Sequence, residues 1–241
     1  MAIILAVPRG GLFCPDVPAR RGIGIGWVFF GVRSGLVGLC GMLAAALAAV
    51  TIYCTGMIYA SLRPIHQWHN AWVVPNYFAL GLMSALLVLD FLVRLWEPRA
   101  PGVAIAAAIL VIVAWWLKEG YWRSIDTTSA PSTVATATLL GSRGKVRMLE
   151  PPHTEENYLL KEMGFAIARK HRVRLRGIVR LAAFGLPALL TLPALSVGGV
   201  IGVVAAGLAV AGAALGLVAE RWLFFAEAKH TVTLYYGAEA V

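Results

Sequence analysis

Charged residues are scarce in this sequence. Only 14% of its 241 residues are Asp, Glu, Lys or Arg, whereas 59% are hydrophobic, and the mean hydropathy is +0.76. Because about a quarter of the residues in ordinary soluble domains are charged, this composition excludes that class and indicates an integral membrane protein.

Acidic residues are scarcer still, with 12 Asp and Glu against 21 Lys and Arg and a formal net charge of +9. In a soluble chain this excess would suggest a nucleic-acid partner. Here the basic residues fall mostly between apolar runs. We therefore expect them to set the membrane topology, to contact anionic lipid headgroups or to dock a partner subunit, and we expect no nucleic acid.

The sequence also lacks the motifs of an independent active site. Its three cysteines, Cys14, Cys40 and Cys54, form no CxxC or other metal-ligand spacing, which argues against a disulfide framework or an iron–sulfur cluster within this chain. It contains no phosphate loop, Ser/His/Asp constellation or zinc motif. We expect no catalytic residues and no bound metal or cofactor.

Long apolar runs are what the sequence has instead. Five of them suit transmembrane helices, which need about 20 residues, at about 35–62, 72–96, 103–121, 178–197 and 198–226. The third run is the shortest, and Lys118 is predicted to extend it by snorkelling to the interface. Residues 1–34 contain no run long enough to span and are predicted to be an atypical lead-in to a single transmembrane domain over 35–241. The predicted fold is an all-α integral membrane protein, a bundle of about five transmembrane helices.

The fourth and fifth runs carry signals for their packing. Pro187 and Pro193 each remove a backbone donor, which predicts a bend in the fourth helix. Gly212, Gly216 and Glu220 recur every four residues in the fifth, so they share one face where a neighbouring helix can approach closely. Glu220 is therefore predicted to point into the seam between helices rather than at lipid.

The polar insert at 122–177 contains one predicted amphipathic helix, at about 154–176. Its apolar face would lie on the membrane surface or under a partner. Its basic residues are interpreted either as side chains that snorkel to the interface or as a platform that docks a partner subunit, and these are Arg169, Lys170, Arg172, Arg174 and Arg176.

Two histidines follow the first run in the sequence RPIHQWHN. His66 and His69 are three positions apart, between Pro64 and Pro75, so they are predicted to lie in a turn at the membrane interface. Hydrogen bonding at the interface is one interpretation. Proton exchange near a quinone headgroup, with Arg63 close by, is another, since imidazole accepts a proton near neutral pH. Metal or haem ligation is disfavoured, because axial histidines for haem normally lie within the spans, and these five spans contain none.

Ionisable residues also occur inside the predicted spans. Asp90 and Arg94 are four residues apart and are predicted to pair with each other. A second group lies near the end of the fifth span, and it is interpreted as a structural ion network or as a proton relay. Its members are Glu220, Arg221, Glu227 and His230.

Three blocks of the sequence resemble one known family. They are, at residues 55–89, 151–176 and 218–237, TGMIYASLRPIHQWHNAWVVPNYFALGLMSALLVL, PPHTEENYLLKEMGFAIARKHRVRLR and VAERWLFFAEAKHTVTLYYG. Together they extend the resemblance over roughly residues 36–241. The chain is similar to the membrane-anchor subunit, the DmsC family, of dimethyl sulfoxide (DMSO) reductase-type molybdopterin oxidoreductases.

That resemblance implies a non-catalytic subunit of an oxidoreductase complex in the bacterial inner membrane. A molybdopterin subunit would reduce the terminal acceptor, an iron–sulfur subunit would carry electrons, and the anchor would tether both and oxidise quinol in anaerobic electron transport. Such anchors usually have eight spans. The family's quinol-binding His and Glu would lie in N-terminal spans that this sequence does not contain, so no position here inherits those roles.

Two other functions remain open from the sequence. One is a small transporter or channel built on the Glu220 seam, and the other is a haem-containing, quinone-linked membrane cytochrome. The side of the membrane that holds the insert also remains open. The positive-inside rule places it in the cytoplasm, whereas the resemblance places it in the periplasm.

Overall fold

A computed structural model describes residues 35–97, 101–128, 133–146, 149–150, 166–194, 197–231 and 234. Within these ranges the chain is helical and has five helices long and apolar enough to cross a membrane. This confirms the all-α membrane fold. The predicted lead-in at 1–34 and the first part of the predicted amphipathic helix, up to residue 165, lie outside the described residues.

The five spanning helices are α1 to α5. Helix α1 is Leu36–Ala60, α2 is Val73–Arg94, α3 is Pro101–Thr127 and α5 is Gly199–Ala226. Helix α4 consists of three consecutive segments, the α-helical Arg172–Val179, the π-helical Arg180–Gly185 and the α-helical Leu186–Ala194. The described residues between α3 and α4 form three short elements: helices Val134–Thr138 and Ala166–Lys170 and a 3-10 turn, Gly141–Arg143.

The chain divides into two compact units, residues 1–54 and 55–241. The described part of the first unit is the larger part of α1, whose Leu36, Met42 and Val50 are exposed. Its Thr51 hydroxyl donates to the carbonyl of Leu47 in the preceding turn. Large exposed aliphatic side chains suit a helix surface that faces lipid.

In the second unit, α2 and α4 each pack against both α3 and α5. Helices α3 and α5 therefore occupy opposite corners of a four-helix arrangement. Small residues such as Ala107 and Ala114 of α3 and Ala209 of α5 are buried, while Ile109 and Leu215 of the same helices are exposed. This distribution is expected in a bilayer, where lipid is as apolar as the large side chains and small residues allow close helix packing.

The π-helical segment of α4 lies immediately before Pro187, where the sequence predicts a bend. Proline has no N–H to donate to the turn before it, and the Leu186 amide bonds five residues back, to the Leu181 carbonyl. The π-helical segment packs against α5. A Cβ added to Gly216 would lie 2.6 Å from the Ala183 Cα, so glycine is required for this close approach.

Two predicted boundaries differ from the structure. Helix α4 begins at Arg172 rather than at residue 178, so Arg172, Arg174 and Arg176 belong to its first turns and not to a separate interfacial helix. Helix α3 continues to Thr127 rather than ending at residue 121. The extensions bring Asp126 into α3 and Arg176 into α4, where the two side chains pair with each other.

Candidate functional site

One end of the second unit gathers most of its buried charge. The turn at 61–72, the last turns of α3 and α5 and the first turns of α4 meet there, and we call it the charged end. Eight ionisable side chains form ion pairs of 2.7 Å or less within it, and we call them the charged cluster: Lys118, Glu119, Asp126, Arg176, Arg180, Glu220, Arg221 and Glu227. Arg172 lies at the edge of this cluster, in a longer ion pair of 3.7 Å with Asp126.

The deepest pair joins the two diagonal helices. The Lys118 ammonium of α3 donates to the Glu220 carboxylate of α5, and their side chains are 2% and 0% exposed. Arg221 completes the site by donating from Nε to Glu220 Oε2 at 2.5 Å and from Nη2 to Oε1 at 2.9 Å. Because a lone charge inside a membrane is strongly unfavourable, each of these buried groups depends on its partners.

Aromatic rings surround the two cations of this inner site. Lys118 Nζ lies 4.1 Å from the centre of the Tyr121 ring, and the Arg221 guanidinium carbon lies 4.5 Å from that of Tyr77. Ring faces attract cations, most strongly where water is excluded. The rings therefore stabilise the side of each cation that the Glu220 carboxylate leaves uncovered.

An outer layer of the charged cluster ties α4 to α3 and to the end of α5. Arg176 donates from Nε to Glu227 Oε1 at 2.7 Å and from Nη1 to Asp126 Oδ2 at 2.5 Å. Arg180 holds Glu119 with two bonds, at 2.5 and 2.9 Å. Such two-pronged arginine–carboxylate bonds fix geometry as well as charge, so the start of α4 is anchored although it is rich in arginine.

Trp122 lies at the centre of this outer layer. Its ring centre is 5.0 Å from the Arg180 guanidinium carbon, 5.2 Å from Lys118 Nζ and 5.3 Å from the Arg176 guanidinium carbon. Trp122 Nε1 and Glu227 Oε2 are buried and make no hydrogen bond to the described residues. Trp122 therefore contributes to the cluster through its ring rather than through its N–H group.

The turn at 61–72 is bonded to the ends of the neighbouring helices. Trp68 Nε1 donates to the Phe224 carbonyl at 2.9 Å, and the Tyr121 hydroxyl donates to the Gln67 carbonyl at 3.2 Å. The Gln67 side-chain oxygen accepts from the Lys229 amide at 3.0 Å. These bonds satisfy carbonyls and amides near helix ends, which have no partner within their own helix.

The two histidines of the turn contact different partners. His69 Nδ1 is 2.6 Å from the Ala60 carbonyl, where it closes the end of α1. His66 Nε2 is 2.8 Å from the Thr128 hydroxyl, just past α3. Their arrangement fits the interpretation as interfacial hydrogen bonding. Arg63 lies exposed in the same turn, and a quinone-proximal role for Arg63, His66 and His69 stays a prediction.

His230 lies beyond the end of α5, three residues after Glu227. Its ring meets Trp68 edge to face, with centres 5.5 Å apart. Burial lowers the pKa of His230, and the neighbouring Arg169 lowers that pKa further. Within the predicted group of Glu220, Arg221, Glu227 and His230, Arg221 bonds to Glu220 and Glu227 bonds to Arg176. A proton-relay role for the group stays a prediction.

The five basic residues predicted to dock a partner divide into two sets. Arg176 is buried within the charged cluster, and Arg169 donates to the Ala226 and Ala228 carbonyls at 3.0 and 2.8 Å. Lys170 and Arg174 are exposed, and the Arg172 side chain is 54% exposed, 3.7 Å from Asp126. Arg176 thus stabilises the chain itself, whereas Lys170, Arg172 and Arg174 present their charge outward.

Sequence reasoning missed half of the charged cluster. Lys118 is interpreted from the sequence as a side chain that extends the third span by snorkelling to the interface, and this is wrong, because Lys118 is buried against Glu220. No pattern in the neighbouring sequence predicted an ion pair for Glu119, Asp126 or Arg180. Their partners lie 50 to 61 residues away in the chain, beyond any helical spacing rule.

A cleft lies beside the charged cluster on the outer face of α3. It has a volume of about 270 Å³ and is lined by Trp72, Trp116, Glu119, Gly120, Arg123, Ser124 and Thr127. The Trp72 ring lies close against the helix at Gly120, since a Cβ there would be 2.6 Å from the ring. Among the described residues, no group of three or more His, Cys, Asp or Glu is arranged to hold a metal ion.

Comparison with known proteins gives an informative relative. The chain is 28% identical, over 204 residues, to a protein from Allochromatium vinosum that is named as one of the subunits of a sulfite dehydrogenase. The match covers 84% of this chain and 61% of the relative, so the chain spans about three fifths of the relative's length. No protein-family model and no solved structure matches the chain.

Proposed function

We propose that this protein is a membrane subunit of a DMSO reductase-type molybdopterin oxidoreductase complex. It would tether an iron–sulfur subunit and a molybdopterin subunit to the membrane and link them to the quinone pool. The observation that carries the proposal is the similarity, over 84% of the chain, to a protein whose name makes it part of a sulfite dehydrogenase of several subunits. That similarity fits the five spanning helices and the resemblance to DmsC-type anchors.

The geometry favours the charged end as the place where the partner docks. The charged cluster satisfies its own charges inside the chain, while Lys170, Arg172 and Arg174 point outward beside it. A partner with acidic residues on the facing surface would complement them, which speeds association and fixes orientation. The bonds that lock the turn at 61–72 to α5 make this end a rigid platform for such a contact.

The direction of electron flow has two candidates. The resemblance to DmsC-type anchors favours quinol oxidation, with electrons passing to the iron–sulfur subunit. The relative's name favours the opposite direction, because a sulfite dehydrogenase takes electrons from its substrate and must deliver them to an acceptor. An assay on native membranes separates the two: quinol-dependent reduction of DMSO supports the first, and sulfite-dependent reduction of a quinone analogue supports the second.

Co-purification tests the proposal as a whole. The full chain carries an affinity tag in its native membrane and is extracted with mild detergent. We expect an iron–sulfur polypeptide and a molybdenum-containing polypeptide to elute with it, identified by mass spectrometry and metal analysis. The proposal would be contradicted if the chain is present in the membrane in its normal amount but elutes without either polypeptide.

A matched pair of variants tests the docking surface. Arg174→Glu reverses an exposed charge at the start of α4, and we expect it to lower the yield of co-purified partner while the chain stays in the membrane. Lys145→Glu makes the same change at an exposed position of the insert and is expected to leave the yield unchanged. Equal yields for both variants would place the docking surface elsewhere.

A further inference from the structure

The cleft on α3 has no role in the proposed tethering. Its lining residues from Trp116 to Thr127 recur at helical spacing on one face of the last turns of α3. Helix α3 has 27 residues and is about 40 Å long, longer than the roughly 30 Å hydrocarbon core. The cleft therefore lies at the level where α3 leaves the hydrocarbon and meets the headgroups.

The two tryptophans give the cleft an apolar wall. The rings of Trp72 and Trp116 meet edge to face, with centres 6.3 Å apart, and Trp116 is 67% exposed. Indole rings favour the interface, because their bodies are apolar and their N–H groups are polar. Gly120 allows the Trp72 ring to lie directly on the helix backbone. The wall is thus built to cover the upper part of an acyl chain and its glycerol ester.

The polar side of the cleft carries one uncompensated positive charge. Glu119 is neutralised by its two bonds to Arg180, so it does not cancel the charge of Arg123. Across the described part of the chain, Arg123 takes part in no ion pair, and it is exposed. The Ser124 and Thr127 side chains add hydroxyl groups at the same rim. An anionic group held near Arg123 would supply the missing charge.

We propose that this cleft binds one anionic phospholipid, with its phosphate at Arg123 and its glycerol and upper acyl chain against Trp72 and Trp116. A basic residue between membrane helices at the headgroup level is the usual setting for such a site. The cleft volume suits a headgroup with its glycerol rather than a whole lipid. The inference is independent of the proposed function, since it uses no partner subunit and no redox step.

The test compares lipid retention by purified variants of the full chain. Each variant is reconstituted in nanodiscs that contain equal amounts of phosphatidylglycerol and phosphatidylcholine, transferred to detergent, and analysed by native mass spectrometry. We expect the natural sequence to retain one lipid per chain with a preference for phosphatidylglycerol. Arg123→Gln should lower that preference about fivefold, the effect of losing one basic contact with an anionic surface.

Two controls make the outcome specific. Lys229→Gln removes one exposed positive charge elsewhere at the charged end and should leave the preference unchanged. Gly120→Ala should lower retention of both lipids, because the new Cβ displaces Trp72. Gly102→Ala is the control in the same helix: its new Cβ meets no atom within 4 Å, so this variant should retain both lipids. Unchanged melting temperatures would show that the variants are folded.

Three results would overturn the proposal. The first is that the Arg123→Gln and Lys229→Gln variants prefer phosphatidylglycerol over phosphatidylcholine to the same extent. The second is displacement of the retained lipid by inorganic phosphate alone, which would show a site for a free anion. The third is recovery of a quinone rather than a phospholipid from the chain purified from its native membrane.

Discussion

Neutralising Glu220 should destabilise this protein more than the same change at an exposed carboxylate. Glu220→Gln keeps the shape of the side chain but leaves the Lys118 ammonium, 2% exposed, without its carboxylate. Removing one partner of a buried pair costs about 3–5 kcal/mol, because the remaining charge is left uncompensated. Arg221 loses the same partner, but because it is 31% exposed, most of the cost falls on the more deeply buried Lys118.

A cost of this size is readily measured. In a chain of this length, about 1 kcal/mol corresponds to about 2–4 °C in melting temperature, so Glu220→Gln should lower the melting temperature in detergent by on the order of 10 °C. Circular dichroism of the purified chain follows the unfolding. Glu97→Gln, at an exposed position beyond α2, is the matched control and should change the melting temperature little.

The double variant separates a charge effect from a packing effect. Replacing Lys118 by Met in the Glu220→Gln background removes the orphaned charge and keeps an unbranched side chain of similar length. Most of the lost stability should return, because apolar replacements of buried ion pairs are often neutral. A double variant no more stable than Glu220→Gln, or a Glu220→Gln variant as stable as Glu97→Gln, would refute the reasoning.

Two further predictions concern packing and pH. Gly216→Ala should destabilise the fold by about 1–3 kcal/mol or more through overpacking against Ala183, whereas Gly177→Ala, which meets no atom within 4 Å, should be neutral or slightly stabilising by thermal unfolding. His230 should add a pH dependence to stability. Its pKa is lowered in the folded state, so the unfolded chain binds more protons. The contribution of His230 to stability is therefore complete above the unfolded pKa of about 6.5 and is lost as the pH falls through the folded pKa. Melting curves at several pH values should show this loss, and His230→Gln should remove it; an unchanged profile in that variant would contradict the assignment.

Local spacing rules predicted the parts of the site that lie on one helix. Gly212, Gly216 and Glu220 recur every four residues, and Glu220 is indeed fully buried in the seam. Asp90 and Arg94, also four apart, are confirmed as a pair at 2.9 Å. In both cases the residues that share a helix face are about one turn apart, and this spacing can be read directly from the sequence.

Spacing rules failed where the partner is remote in the sequence. Lys118 and Glu220 are 102 residues apart, and a lysine near tryptophans resembles an interfacial side chain when its partner is unknown. The same holds for the start of α4: an arginine-rich segment is too polar for a span until Asp126 and Glu227 neutralise Arg176. The π-helical segment was likewise not predicted, although Pro187 correctly marked the place where the helix departs from regular geometry.

The balance of charge predicts that the proposed partner docking and the stability of the fold can be separated in this protein. The charged cluster contains four basic and four acidic side chains, so it is neutral and the net charge of +9 belongs to residues outside it. Buried pairs are screened little by salt, whereas exposed charges are screened within about 3 Å at 1 M ionic strength. Raising the salt concentration should therefore weaken partner docking at Arg174 and the lipid preference at Arg123, while the melting temperature set by the Lys118–Glu220 pair stays nearly constant. A melting temperature that fell together with partner yield would mean that the cluster is not closed to solvent, and that docking and folding depend on the same charges.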